Sequence, residues 1–263
     1  DIPLGEMGPS PLREVVRPEE KQGDIETAHK LINLSSQVLR YSKITGRVKY
    51  NVAADLTEAL QKPVHKNFAA ITDPKKIGQL MRDIFDYDGH FSIQYYLKIL
   101  PYVFTRPSEL RLACWEEFDF ETATWKVPAQ RMKMRREHVV PLSDQVVKLL
   151  GELSKFTGMD GYLFQSIRAR SAVLSDMGAL AALRRLGYQK EEVTLHGFRA
   201  MASTCLNEMG FRSDVIEAQL AHKEPDTVRL AYNRLQYMKD RRKLMQEWSD
   251  LRAALPLTHP RPK

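Results

Sequence analysis

The hydrophobic period of this chain changes once, and that change limits the folds open to it. On either side of residues 115–142, apolar residues recur at helical spacing. Within that stretch, "WEEFDF", "TWKVP" and "EHVVPL" are short, β-rich and separated by turn material. Short runs of this kind predict a small antiparallel sheet. The expected fold class is therefore α+β, mainly α with one small antiparallel β-sheet. No internal repeat or low-complexity tract interrupts the pattern.

Residues 1–23 contain prolines and show no clear period, so an irregular stretch is expected there. From Asp24 as N-cap, "DIETAHKLINLSSQVLRYSKITG" places Ala28, Leu31, Ile32, Leu34, Val38 and Leu39 at helical spacing and ends on Gly46. "NVAADLTEAL" predicts a short helix, and "QKPVHKN" a polar linker with a domain boundary near residue 70. "DPKKIGQLMRDIFDY", capped by Asp73, and "SIQYYLKILPYVFT" are helical segments leading into the strands. Beyond the strands come "DQVVKLLGELSKFTG", "SDMGALAALRRLGY" and a helix from Thr194 as N-cap to Gly210 as stop. "SDVIEAQLAHK" has Ser213 as its cap, and "DTVRLAYNRL" begins after Pro225. A separate final segment, "QYMKDRRKLMQEWSDLRAAL", sets Leu244, Trp248 and Leu251 on one face. The organisation read from this is 1–70, 71–235 and a tail, 236–263.

No apolar run approaches the roughly 20 residues needed to cross a bilayer, and no signal peptide is visible, so a membrane partner is not expected. Cys114 and Cys205 lie in apolar surroundings without metal-ligand spacing. They read as buried free thiols in a reducing cytoplasm. The net charge is +7, which makes polyanions natural partners. Its distribution says more than its size. Residues 1–70 hold ten Lys and Arg against nine Asp and Glu, the rest thirty against twenty-four. In "KVPAQRMKMRR", Lys126, Arg131, Lys133, Arg135 and Arg136 are unopposed by any acid. The run is either a solvated loop or a projection of charge from the sheet toward a ligand.

In "TLHGFRAMAST" the apolar stripe Leu195, Phe198, Met201, Ala202, Cys205, Leu206 and Met209 defines a buried helix side. His196 and Arg199, three apart, share the opposite flank near the helix N-terminus, where free N–H groups favour an anion. Alone, His-x-x-Arg is a weak signal. In "FTRPSELRLACWEEFDF", Arg106 precedes a proline and a helix start. It can pair with Glu109, or offer its planar fork to a phosphate. "LAHKEPDTVRLAYNR" adds His222 at a helix end and Tyr232 ten residues later.

Together "TRPSELRLACWEEFDF", "VPAQRMKMRREHVVPLS", "LHGFRAMAST" and "LAHKEPDTVRLAYNR" resemble the tyrosine recombinases, or phage integrases. The resemblance is closest to integrases of satellite prophages and genomic islands, and it spans roughly residues 71–250. It implies a site-specific DNA recombinase that cuts and rejoins strands through a 3′-phosphotyrosine. By position, Arg106 and Arg199 resemble the two catalytic arginines, Lys133 the catalytic lysine, and His196 the histidine of His-x-x-Arg. His222 matches the family's second histidine position and Tyr232 the nucleophile. Lys126, Arg131, Arg135 and Arg136 would be DNA contacts. No cofactor or metal is expected. The implied partners are double-stranded attachment-site DNA, further copies forming a tetramer on DNA, and accessory DNA-bending or excision proteins. The implied location is the bacterial cytoplasm, at the nucleoid. Residues 1–65 resemble only the later part of a core DNA-binding domain, so the chain reads as a fragment. In the family a tail such as 236–263 packs on a neighbouring subunit; packing on its own domain is the alternative.

The chemistry fits these residue types. Attack on a phosphodiester spreads charge over the non-bridging oxygens, and two arginines stabilise it. A tyrosine of ordinary pKa near 10 is a poor nucleophile unless a group such as His196 accepts its proton. Lys133 can protonate the leaving 5′-oxygen. Rival readings are a DNA-binding relative without catalysis, a type IB topoisomerase, and a metallohydrolase using His196 and His222, for which no HExxH is present. Tyr237, five residues on in what reads as the next helix, competes with Tyr232.

Overall fold

The computed structural model describes residues 2–62, 69–169, 172–222 and 227–254, with backbone alone over 227–236 and 252–254. The chain divides into a unit of residues 1–67 and a unit of residues 68–263.

The first unit packs α1 (Pro9–Gln22) on α2 (Ile25–Ile44), followed by the short α3 (Leu56–Ala59). The helix over α1 corrects the expected irregular stretch. Pro9 and Pro11 stand in its first turn, where a missing N–H removes no helical bond. Asp24 caps α2 by accepting from the Thr27 N–H, as its position suggested. Val16, Ala28, Ile32 and Leu60 form a small core. Leu34 and Val38 are exposed, with Tyr41, Ile44 and Tyr50.

The second unit is built around α5 (Phe91–Val103), which is mostly apolar and buried except along the flank of Gln94 and Lys98. Against it pack α4 (Pro74–Phe85), α7 (Asp144–Thr157), α8 (Asp176–Arg185), α9 (Gly197–Glu208) and α11 (Thr227–Ala254). The short α6 (Pro107–Arg111) follows α5, and α10 (Ser213–Gln219) packs on α9 and α11. Strands β1 (Phe118–Asp119), β2 (Thr124–Val127) and β3 (His138–Pro141) form the antiparallel sheet in the order β1-β2-β3. Trp125 faces Val140 in its register, and both are buried.

Four details depart from the sequence reading. α10 has Arg212 as its N-cap, and Ser213 is its first helical residue. α9 begins at Gly197 with His196 as N-cap, because Thr194 forms a preceding turn in which its Oγ1 and carbonyl both accept from the Gly197 N–H. Met209 is exposed. "DTVRLAYNRL" and the final segment are one helix, α11.

The tail packs in cis. Leu244, Met245 and Trp248 are buried in this unit's core. Trp248 Nε1 donates to the Pro101 carbonyl at 2.9 Å, and its ring meets Phe104 edge to face at 5.9 Å. Gln246 Oε1 accepts from the Asp144 N–H at the start of α7, and Ser249 bonds Ser143. The face expected to meet a neighbouring subunit is therefore occupied at home as far as Ser249. Cys205 is buried and Cys114 half-buried, both as thiols. Among the described residues no helix is long and apolar enough to cross a membrane.

Candidate active site

Arg106 is the N-cap of α6, with Pro107 at its first position. Its N–H donates to Glu109 Oε2 at 2.9 Å, and its Nη1 meets Glu109 Oε1 at 2.7 Å. Glu109 is buried. The pairing weighed as a rival reading is thus present, and its effect is to hold the guanidinium rather than hide it. Just before, Phe104 ends α5 in the left-handed region at φ 34°. That turn sends its carbonyl to Arg199, whose Nη1 donates to it at 2.8 Å.

Arg199 lies in the first turn of α9. Its Nη2 donates to the Leu220 carbonyl at 2.6 Å and to His222 Nε2 at 3.1 Å. Desolvation, then the neighbouring charge of Arg106, pushes its pKa down to about 10. It remains a cation. A desolvated guanidinium with a second guanidinium beside it makes a site for an anion.

His222 arrives by a reversal at the end of α10. Ala221 adopts φ 50°, and the His222 N–H returns to the Glu217 carbonyl. Its Nδ1 lies 2.5 Å from Glu217 Oε2. Arginine can only donate, so Nε2 is the acceptor and Nδ1 carries the proton toward Glu217. His196, the exposed N-cap of α9, has a pKa below the ordinary imidazole value through desolvation first, then through Arg199 and Arg106. That keeps the ring neutral and able to accept a proton.

Gly197 explains the glycine in "LHGFRA". A Cβ there would lie 2.2 Å from the Ala69 carbonyl oxygen, so the segment at residue 69 crosses the start of α9 at backbone distance.

Arg106, His196, Arg199 and His222 are thus brought together. Lys133 stands in the exposed turn between β2 and β3, without a hydrogen bond to this group among the described contacts. Arg135, at φ 51°, and Arg136 are exposed in the same connection, and Lys126 is exposed on β2. Arg131 is a correction. It turns inward to the Leu112 carbonyl and pairs with Glu117, whose carboxylate also accepts from Trp125 Nε1. A half-buried carboxylate takes the nearest cation, which removes Arg131 from the outward set.

Tyr232 falls on α11, with its side chain outside the described residues, as are residues 223–226. Tyr237 belongs to the same helix, and its hydroxyl donates to Asp214 Oδ2 at 3.1 Å. Its oxygen is committed to α10. Among the described residues no group of three or more His, Cys, Asp or Glu side chains could hold a metal ion.

Sequence reasoning missed Glu217, although a carboxylate five residues before a histidine at a helix end was a signal for it. It also missed the end of the first unit's long helix. There Arg40, Lys43, Arg47 and Lys49 alternate with exposed Tyr41, Ile44 and Tyr50, a basic and aromatic surface without an acid.

The comparisons agree with one another. The model of the phage integrase family matches residues 71–239, and that of the phage integrase central domain matches residues 1–59. The prophage integrase IntA of Escherichia coli (strain K12) is 37% identical over 251 residues, covering 95% of this chain and 60% of its own length. IntS of the same strain is 36% identical, covering 95% and 64%, and the integrase of Shigella phage Sf6 is 35% identical with the same coverage. The chain therefore spans 60% to 64% of the length of these relatives. Among solved structures, a lambda integrase dimer bound to a COC′ core site superposes with a TM-score of 0.67 at 16% identity, over 92% of this chain and 82% of that one. The Tn1549 transposon integrase in complex with transposon right end DNA gives 0.63 at 14%, over 90% and 88%. These likenesses establish the fold. With a family model matched across residues 71–239, the chain belongs to the phage integrase family.

Proposed function

We propose that this chain carries the catalytic part of a site-specific DNA recombinase, the integrase of a prophage or genomic island. One observation carries the reading. The desolvated guanidinium of Arg199 has that of Arg106 beside it and a histidine on its Nη2, an arrangement suited to a phosphodiester.

The roles follow. Tyr232 Oη attacks phosphorus and gives its proton to His196, which is held neutral. Arg106 and Arg199 stabilise the charge on the non-bridging oxygens, and His222, accepting from Arg199 Nη2, orients the second of them. The P–O5′ bond breaks as the 3′-phosphotyrosine bond forms, and Lys133 protonates the departing 5′-oxygen. One phosphodiester is exchanged for another, so a 5′-hydroxyl can reverse the step without ATP. Lys126, Arg135 and Arg136 contact the DNA backbone.

Residues 71–235 act as the catalytic domain, and residues 1–70 as a partial core-DNA-binding domain whose surface at 40–50 suits that task. Contact with a neighbouring subunit through the tail 236–263 falls to Leu251, which is exposed, and the residues after it. A lambda integrase tetramer bound to a Holliday junction has the same fold at a TM-score of 0.65, which supports assembly of four copies on DNA here. Accessory DNA-bending or excision proteins complete the proposed partners.

The test is covalent capture. Incubated with a pool of nicked suicide duplexes of randomised sequence, the protein should yield an SDS-resistant adduct, and sequencing the captured DNA gives its site. Tyr232→Phe should abolish the adduct and leave DNA binding nearly unchanged. An adduct that survives in Tyr232→Phe and vanishes in Tyr237→Phe would move the nucleophile. No adduct from the wild type would leave a DNA-binding protein without catalysis.

A further inference from the structure

Behind the arginine pair lies a second buried cation that the chemistry above does not use. Arg241 on α11 is 7% exposed, and desolvation alone pushes its pKa down to about 10. Among the described contacts it meets no carboxylate. Its Nε and Nη2 donate to Gln219 Oε1 at 2.8 and 2.6 Å, and Nη2 also donates to the Val139 carbonyl at 2.6 Å. Burying a guanidinium against neutral acceptors is costly, and apolar side chains of similar volume would fill the space at less cost. Such a group stands out as a device for geometry rather than for stability.

The geometry converges on Gln219, which is wholly buried at the end of α10. Its carbonyl accepts from His138 Nε2 of β3 at 3.1 Å, a ring that burial holds neutral. Its Nε2 reaches the Val103 carbonyl at the end of α5, at a long 3.4 Å. The two carbonyls that grip Arg199 belong to Leu220 and Phe104. Leu220 directly follows Gln219, and Phe104 directly follows Val103. Each bracket on Arg199 is therefore one residue from an atom tied to Gln219. Arg241 ties the same side chain to α11, nine residues beyond Tyr232, and to β3, which follows the Lys133 turn.

We propose that Arg241 and Gln219 form a positioning clasp that sets α5, α10, α11 and β3 in register, so that Arg199 and His222 are aligned with the helix carrying Tyr232. The inference rests on the recombinase reading and adds two residues to it, neither touching DNA.

The test uses the full 263-residue chain and the duplex captured from the randomised pool. Arg241→Met or Gln219→Leu alone strands a buried partner, so each single variant should melt at lower temperature. The double variant Arg241→Met/Gln219→Leu removes both polar groups and should recover most of that loss. Its single-turnover rate of adduct formation should nevertheless stay on the order of 10- to 100-fold below wild type, as misplacement of reacting groups produces, with DNA affinity within about twofold. Arg241→Lys, which keeps the charge but not the fork, should also be slow. If the rate of the double variant recovers together with its melting temperature, the pair is structural filling and the clasp is wrong. If Arg241→Lys cleaves at the wild-type rate, the charge matters and the clasp geometry does not. If the wild type forms no adduct, the recombinase reading fails and the clasp falls with it.

Discussion

Arg199 shows how one side chain can be both buried and available. Among the described contacts, two of its five N–H groups are taken by the Phe104 and Leu220 carbonyls and one by His222, which leaves Nε and one Nη1 hydrogen for an incoming oxygen. Arg199→Lys keeps a cation but loses the fork, so adduct formation should fall by at least about 10²-fold. A near-normal rate in a single-turnover assay would reduce Arg199 to a structural part. His138 makes a different claim. Burial holds its pKa at about 3, against the ordinary 6.5 that the unfolded chain recovers. Between those values the unfolded state binds a proton that the folded state refuses. Stability is thus intact above about 6.5 and drains as pH falls, by up to about 1.4 kcal/mol per pH unit from this group. His138→Gln keeps a donor for the Gln219 carbonyl without titrating. Its denaturant midpoint should fall less steeply than wild type between about pH 7 and about pH 4; parallel slopes would assign the acid sensitivity elsewhere. At this scale the sequence was informative wherever a residue's neighbours lay close along the chain. His196 and Arg199 declare each other at three residues' distance. Glu117, which captures Arg131 from fourteen residues away, and Gln219, which meets Arg241 across twenty-two, are set by tertiary packing and leave no periodic trace.

At the scale of elements, the sheet and most helices were legible because period, caps and stops agreed. Asp24 and Asp73 cap where they were expected to. Two misreadings belong to this scale. The prolines of residues 1–23 suggested an irregular stretch, although a helix accepts proline in its first turn, as at Pro9 and Pro11, and even Pro18 is carried inside α1. The segment from Gln236 reads as separate from "DTVRLAYNRL", whereas α11 runs through both. Its buried face downstream supplies the reason, since tertiary packing outweighs modest local propensity. Trp248 carries much of that packing through Phe104 and Pro101. Trp248→Ala should therefore destabilise the protein by about 3–5 kcal/mol in urea unfolding. A loss below about 1 kcal/mol would mean that the α11 tail is not docked in cis in solution.

For the whole molecule, the charge read from composition lies mainly in the second unit, and the exposed Lys126, Lys133, Arg135 and Arg136 display part of it. If about six phosphates are neutralised on binding, log affinity should fall with log salt at a slope of about −5. A flat response in a titration from low to high salt would point to a partner other than DNA. Composition could state the sign of this surface but not its place, because Arg131 counts equally in the sum whether it points out or in. The docking of α11 has one more consequence, in the order of synthesis. Pro101 and Phe104 are made early, but the indole that covers them is made some 145 residues later. The bracket on Arg199 and the node at Gln219 stay incomplete over the same interval. Chains grow from the N-terminus at about 5–20 residues per second and fold by units, so this core closes only when its last helix has left the ribosome. A nascent or prematurely ended chain thus carries both arginines without the packing that aims them, and it exposes the apolar end of α5 until the final turns of α11 arrive.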